Sequence, residues 1–165
     1  MIPYGVQVNA RQQMVIARGS SLSVAQGLTI AAASPGVFST DGSGKGQGNI
    51  YVAQPDSTQT LADAGHPATA GDNIVIYCTG LGEVTPSLTA GAPAPVDHLT
   101  STVNPVTVTI GGVAAQVQFA GLAPGFAGLY QVNAMVPNGV TPGPAVVLSL
   151  AAAGQLSSAV TMAVR

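Results

Sequence analysis

The chain has 165 residues, of which 47% are hydrophobic and only 6% charged, with a formal net charge of −2; ordinary soluble domains carry roughly 25% charged residues. Four basic residues cannot form the stripe that neutralises nucleic-acid phosphates or a polybasic membrane patch, and no run reaches the roughly 18 apolar residues of a spanning helix. With 21 glycines and 12 prolines, long helices are broken and short strands joined by turns are favoured.

The opening MIPYGVQVNA lacks a basic start followed by an apolar run, so no signal peptide is expected there. The first predicted strands are QQMVIAR (12–18) and LTIAAA (28–33). STDGSGKGQG (39–48) surrounds Lys45, the single lysine of the chain, with glycines. It fails as a phosphate loop: Ser39 stands where the first glycine is needed, Gly46 replaces the hydroxyl residue, and a strand rather than a helix follows. As a calcium loop it places Lys45 where a third oxygen ligand belongs. A flexible turn is expected, and an isopeptide link from Lys45 to an asparagine is not.

NIYVAQ (49–54) and the most apolar stretch, NIVIYCT (73–79), follow as strands. Cys78 is the only cysteine, which excludes an internal disulfide; a buried apolar role is expected. Asp72 is expected to turn the chain into its strand. The proline-rich 85–105 segment is expected to form a long surface connection. PVTVTIGG (105–112) alternates strictly, and Gly111-Gly112 is expected to be a hairpin turn. AQVQFAG (115–121), LYQVNAMV (129–136), AVVLSLAA (145–152) and AVTMAV (159–164) complete the set. The expected fold is all-β, an antiparallel sandwich of about seven to nine strands.

No catalytic constellation is expected. His66 and His98 fall in loops, no G-x-S-x-G elbow exists, and Asp56, Asp63 and Asp97 do not pair by spacing. No cofactor or metal is expected. With no tryptophan there is little for an aromatic carbohydrate platform, and Tyr4, Tyr51, Tyr77 and Tyr130 are expected to be sandwich residues with a polar tip at the rim.

An internal echo is more informative. MIPYGV at 1–6 parallels MVPNGV at 135–140, an offset of 134 (135 − 1). LTIAA at 28–32 parallels VTMAV at 160–164, an offset of 132 (160 − 28), so a two-residue gap is needed. A rival register matches QVNA at 7–10 to QVNA at 131–134 but leaves LTIAA without a partner. Residues 1–33 are therefore expected to be surplus strands, equivalent to the end of a preceding repeat, with one complete repeat over 34–165. Such strands must pair either with their own domain or with a neighbouring subunit.

The pieces SPGVFSTDGSGKGQG (34–48), TGLG (79–82), GAPAP (91–95), VTVTIGG (106–112), FAGLAPGFAGLYQVN (119–133) and VPNGV (136–140) carry a resemblance. Together they resemble the uncharacterised immunoglobulin-like C-terminal domain of large secreted acidobacterial (Solibacter-type) proteins, and the end of the chain is similar to IPT/TIG modules. The resemblance implies an immunoglobulin-like sandwich, a secreted or cell-surface location, and a structural or adhesive role without known catalytic residues. The expected function is a non-enzymatic structural subunit that self-assembles through its N-terminal strands into a filament or array. The candidate assembly interface is Gln13, Met14, Val15, Ile16, Leu22, Val24, Leu28 and Ile30. The alternative is a module whose loops, such as 85–105, bind a glycan or surface protein.

Overall fold

A computed structural model describes residues 5–165. The described chain is all-β, with no helix and 46% strand. In chain order the strands are β1 Arg11–Met14, β2 Ala17–Arg18, β3 Ser21–Leu22, β4 Gln26–Thr29, β5 Gly36–Val37, β6 Ile50–Ala53, β7 Gln59–Leu61 and β8 Asn73–Thr79. Then come β9 Val84–Thr85, β10 Ser101–Thr102, β11 Val106–Ile110, β12 Val113–Leu122, β13 Tyr130–Met135, β14 Gly143–Ala152, β15 Gln155–Leu156 and β16 Val160–Val164. From NIYVAQ onward the expected strands are all present, whereas QQMVIAR is split into β1 and β2 and LTIAAA contributes only Leu28 and Thr29, at the end of β4. The strands beyond the expected number are mostly two-residue pieces.

Strands β5 to β16 form one antiparallel hydrogen-bonded network whose main path is β15-β14-β11-β12-β13-β8-β6-β7, with β16 on β14. Strand β12 serves both halves. Its start pairs with β11 through the two-residue Gly111-Gly112 turn, and its remainder pairs with β13 across a register shift between Val117 and Phe119. Both turn glycines have positive φ (57° and 82°), as the primed hairpin turn requires. The 85–105 connection is less irregular than expected, because β10 pairs with β9 and, through Ser101, with β12.

The alternation of apolar residues explains the core. Val106, Val108 and Ile110 meet Ile74, Ile76, Val132, Leu148, Leu150 and Met162 in one buried cluster, while Thr107 stays exposed. One face of each half is thus removed from water, an arrangement consistent with a β-sandwich. Each fully buried Leu, Ile or Val contributes about 1.5–3 kcal/mol.

The two ends of the network meet at β16. Its outer edge pairs in parallel with the glycine-rich loop, where the Gly48 amide donates to Thr161 O (2.9 Å) and the Thr161 amide to Gly46 O (2.6 Å). Further along, the Ala163 amide donates to Ala62 O (2.9 Å) and the Arg165 amide to Ala68 O (2.9 Å). STDGSGKGQG therefore braces the last strand. Its bend is closed by Asp41, whose Oδ1 accepts from Ser39 Oγ (2.7 Å), Ser43 N (3.0 Å) and Ser43 Oγ (2.8 Å).

Residues before 34 depart from expectation. They do not join the sheets of residues 34–165. Instead β1 pairs with β4 and β2 with β3, as two separate two-stranded ladders of one long interrupted hairpin. The strand material is self-paired rather than joined to the sheets of its own domain.

Candidate functional site: an N-terminal hairpin and its anchor

Lateral pairing fixes the hairpin's relation to the rest of the chain. Adding 134 to each residue number maps five of its six paired positions onto pairs of the C-terminal hairpin. Gln12↔Leu28 becomes Val146↔Met162, Met14↔Gln26 becomes Leu148↔Val160, and Ala17↔Leu22 becomes Ala151↔Leu156. The sixth, Arg11↔Thr29, falls where the register of β14 shifts between Gly143 and Val146.

The irregular part repeats as well. Ser23 N donates to Ile16 O (2.9 Å), Ser23 Oγ accepts from Ile16 N (3.0 Å) and donates to Val24 O (3.1 Å). Ser157 does the same with Leu150 N (3.0 Å), Leu150 O (2.8 Å) and Ser158 O (2.9 Å). In each hairpin this serine splits the ladder at the same place. Gly5 (φ 84°) likewise matches Gly139 (φ 87°). The first four residues of MIPYGV, Tyr4 included, lie outside the described residues. The two-residue gap expected from sequence is thereby corrected: the offset is 134 throughout, and Leu28 and Ile30 correspond to Met162 and Val164 rather than to Val160 and Met162.

This correspondence sorts the candidate interface residues into two faces. Gln13, Val15, Leu22 and Val24 match Val147, Ser149, Leu156 and Ser158, which lie on the outside of the body or at half depth. Met14, Ile16, Leu28 and Ile30 match Leu148, Leu150, Met162 and Val164, all buried in the core. Yet Met14 is 47% and Ile16 61% exposed, against 0% for Leu148 and Leu150. Leu22 (72%) and Leu156 (71%) are exposed alike, as outer-face residues should be. Leu28 is half-buried and Ile30 buried, because the base of the hairpin lies against its own body. The hairpin thus presents a core face with no core over most of its length. Gln12, Arg18 and Gln26 break the apolar match, standing where the buried Val146, Ala152 and Val160 do.

The anchor is the TGLG stretch. Ser34 N donates to Gly80 O at 2.7 Å. Gly80 (φ 77°) and Gly82 (φ 91°) sit so close to the linker that a Cβ on either would overlap the carbonyl of Ser34 or Ala32. Only glycine combines that backbone angle with that approach. Tyr130, at the start of β13, is buried and donates its hydroxyl to Gly82 O. The linker is therefore seated on the body, and a mainly apolar cavity of about 440 Å³ opens where Val6, Val8 and Ile30 face Thr79, Gly128 and Tyr130.

The remaining singled-out residues have local roles. Cys78 is buried on β8, and burial pushes its thiol up to about 12. His66 and His98 lie at the surface beside Asp63 (3.3 Å) and Asp97 (2.8 Å), their neighbours in the same loops. Asp72 Oδ2 accepts from Thr69 N (2.8 Å) at the turn into β8. Tyr51 and Tyr77 meet edge to face at 5.8 Å, and Tyr77 Oη donates to Gln59 (3.2 Å). Val96, Leu99 and Phe126 are exposed on neighbouring loops that Ala94 ties together by backbone bonds to Gly125 and Phe126. Among the described residues, no group of three or more His, Cys, Asp or Glu could hold a metal ion, and no helix is long and apolar enough to cross a membrane.

Comparison with known proteins gives no family model, curated protein or solved structure that matches this chain.

Proposed function

We propose that this chain is a non-enzymatic structural module of a secreted or cell-surface protein array, and that it joins β-sandwiches through its N-terminal hairpin. The observation that carries this reading is the exposed Met14–Ile16 face, built on the register of a hairpin that is buried elsewhere in the same chain. The seated linker supports it, since an anchored hairpin fixes the direction in which the next module lies. The low charge content fits a surface destined to be covered. The immunoglobulin-like architecture and extracellular setting belong to the same proposal, through the resemblance of TGLG, VTVTIGG and VPNGV to the secreted acidobacterial domains.

The test is light scattering of the full chain over a concentration series, beside a Met14→Glu/Ile16→Glu variant. A bare apolar hairpin with two open edges self-associates, and the charged pair abolishes this. A native chain that stays monomeric at every concentration, like the variant, refutes the reading. A second reading, loop-mediated adhesion to a glycan or protein, is favoured by the exposed Val96, Leu99 and Phe126. Glycan-array binding lost on substituting Phe126 supports it instead.

A further inference from the structure

We infer that the uncovered face of the N-terminal hairpin belongs to a second sandwich of this same fold, carried upstream on the same polypeptide, which the hairpin completes. The inference rests on the reading above and names the neighbour.

Three observations lead to it. The first is the continuous offset of 134, held by paired positions, by the serine that splits each ladder and by Gly5 and Gly139. A hairpin reproduced at that level of detail is the terminal hairpin of a repeat. Its natural cover is what covers β14 and β16 in the intact copy: β11 alongside β14, and the opposite sheet face carrying Ile74, Ile76 and Val132.

The second is that a separate copy of this chain offers no vacancy. Its own β14–β16 hairpin already fills the place, with Val146, Leu148, Leu150, Val160, Met162 and Val164 buried. The incoming hairpin would replace Val146 and Val160 by Gln12 and Gln26, so exchange between copies is unfavourable. The third is direction. In the intact copy β13 leads through Gly139 into β14, and Gly5, the counterpart of Gly139, stands in the same place before β1. A β13-like strand of the neighbouring unit would enter the hairpin from that side. The upstream unit would offer hydrogen-bonding groups at the two glutamine positions, where this chain's own body offers apolar ones.

The experiment adds residues 34–134 in frame before Met1 of the full chain. The added segment plus residues 1–33 then spans one whole repeat. One version keeps the native hairpin and a second carries Gln12→Val, Arg18→Ala and Gln26→Val, to match the apolar body supplied. Thiol labelling is followed for Ile16→Cys and, separately, Leu22→Cys. In the unextended chain, diluted below self-association, both label rapidly. In the extended chain with these three substitutions, I16C labelling slows about 100-fold or more, as for a core position reached only by opening, whereas L22C stays rapid like its outer-face counterpart Leu156. Equal, rapid labelling of I16C and L22C in both extended chains, or an added body that stays unfolded in both, overturns the inference. I16C protection in the unextended chain on self-association, without protection in the extended ones, overturns it while leaving the structural-module reading intact. Rapid I16C labelling everywhere overturns both.

Discussion

Replacing Gly80 by alanine tests whether the hairpin is held or merely tethered. Gly80 has φ of 77°, so an alanine there costs about 1–2 kcal/mol in backbone strain. Its Cβ would also overlap the Ser34 carbonyl, and the linker would release its 2.7 Å bond from Ser34 N to Gly80 O. Losing that bond adds about 0.5–1.5 kcal/mol, and release caps the clash, so the total is about 1.5–3.5 kcal/mol. At about 2–4 °C per kcal/mol for a domain of this size, Tm falls by about 3–14 °C. Gly91→Ala is the matched control: φ is 82° but no atom lies within 4 Å of where the new methyl would stand, so the backbone strain acts alone. Thermal unfolding followed by circular dichroism gives both values, and amide exchange at Ser34 reports release directly. Equal Tm losses for the two variants, with Ser34 exchange unchanged, would refute the seated linker.

The two hairpins allow the same position to be compared in two settings. Leu148→Ala costs about 2–5 kcal/mol in urea unfolding, whereas Met14→Ala at the equivalent place costs about 0.5 kcal/mol or less. Ser157→Ala strands a buried Leu150 amide and costs about 1–3 kcal/mol, while Ser23→Ala, at the surface, costs far less. The bonds from Ser43 and Ser39 lower Asp41 from 3.8 to about 2. The depressed value means that its stabilising contribution is complete above about pH 4 and is lost as pH falls through about 2. The Ser43 amide resonance should titrate with a midpoint near 2, and a midpoint near 3.8 would refute the bonded bend. Cys78 should resist a thiol reagent at about pH 8 in the folded chain and react on unfolding, since burial raises its pKa to about 12.

The long strands were legible because alternation is a direct imprint of one wet and one dry face, as in VTVTI and YQVNAM. Strands such as β5, β9 and β10 were not, since two residues such as Ser101 and Thr102 carry no period. The duplication was legible but its register was not. Residue similarity prefers LTIAA against VTMAV, whereas the pairing is fixed by the turn and by Ser23, and Met162 and Val164 are as apolar as the residues they displaced in the match. The spacing of Ser23 to Ser157, 134 (157 − 23), is the signal that separates the two. TGLG was recognisable as a motif, but the reason for its glycines was hidden, because the carbonyls they admit come from Ala32 and Ser34, far away along the chain.

The bracing of β16 on both flanks has a mechanical consequence. Tension applied along the C-terminal strand would pull sideways on its bonds to β14, to Gly46 and Gly48, and to Ala62 and Ala68, all at once. Bonds loaded in shear share the force and break together, whereas a strand peeled from one end loses them singly. A thread of such units would resist stretching up to a threshold and then yield one unit at a time.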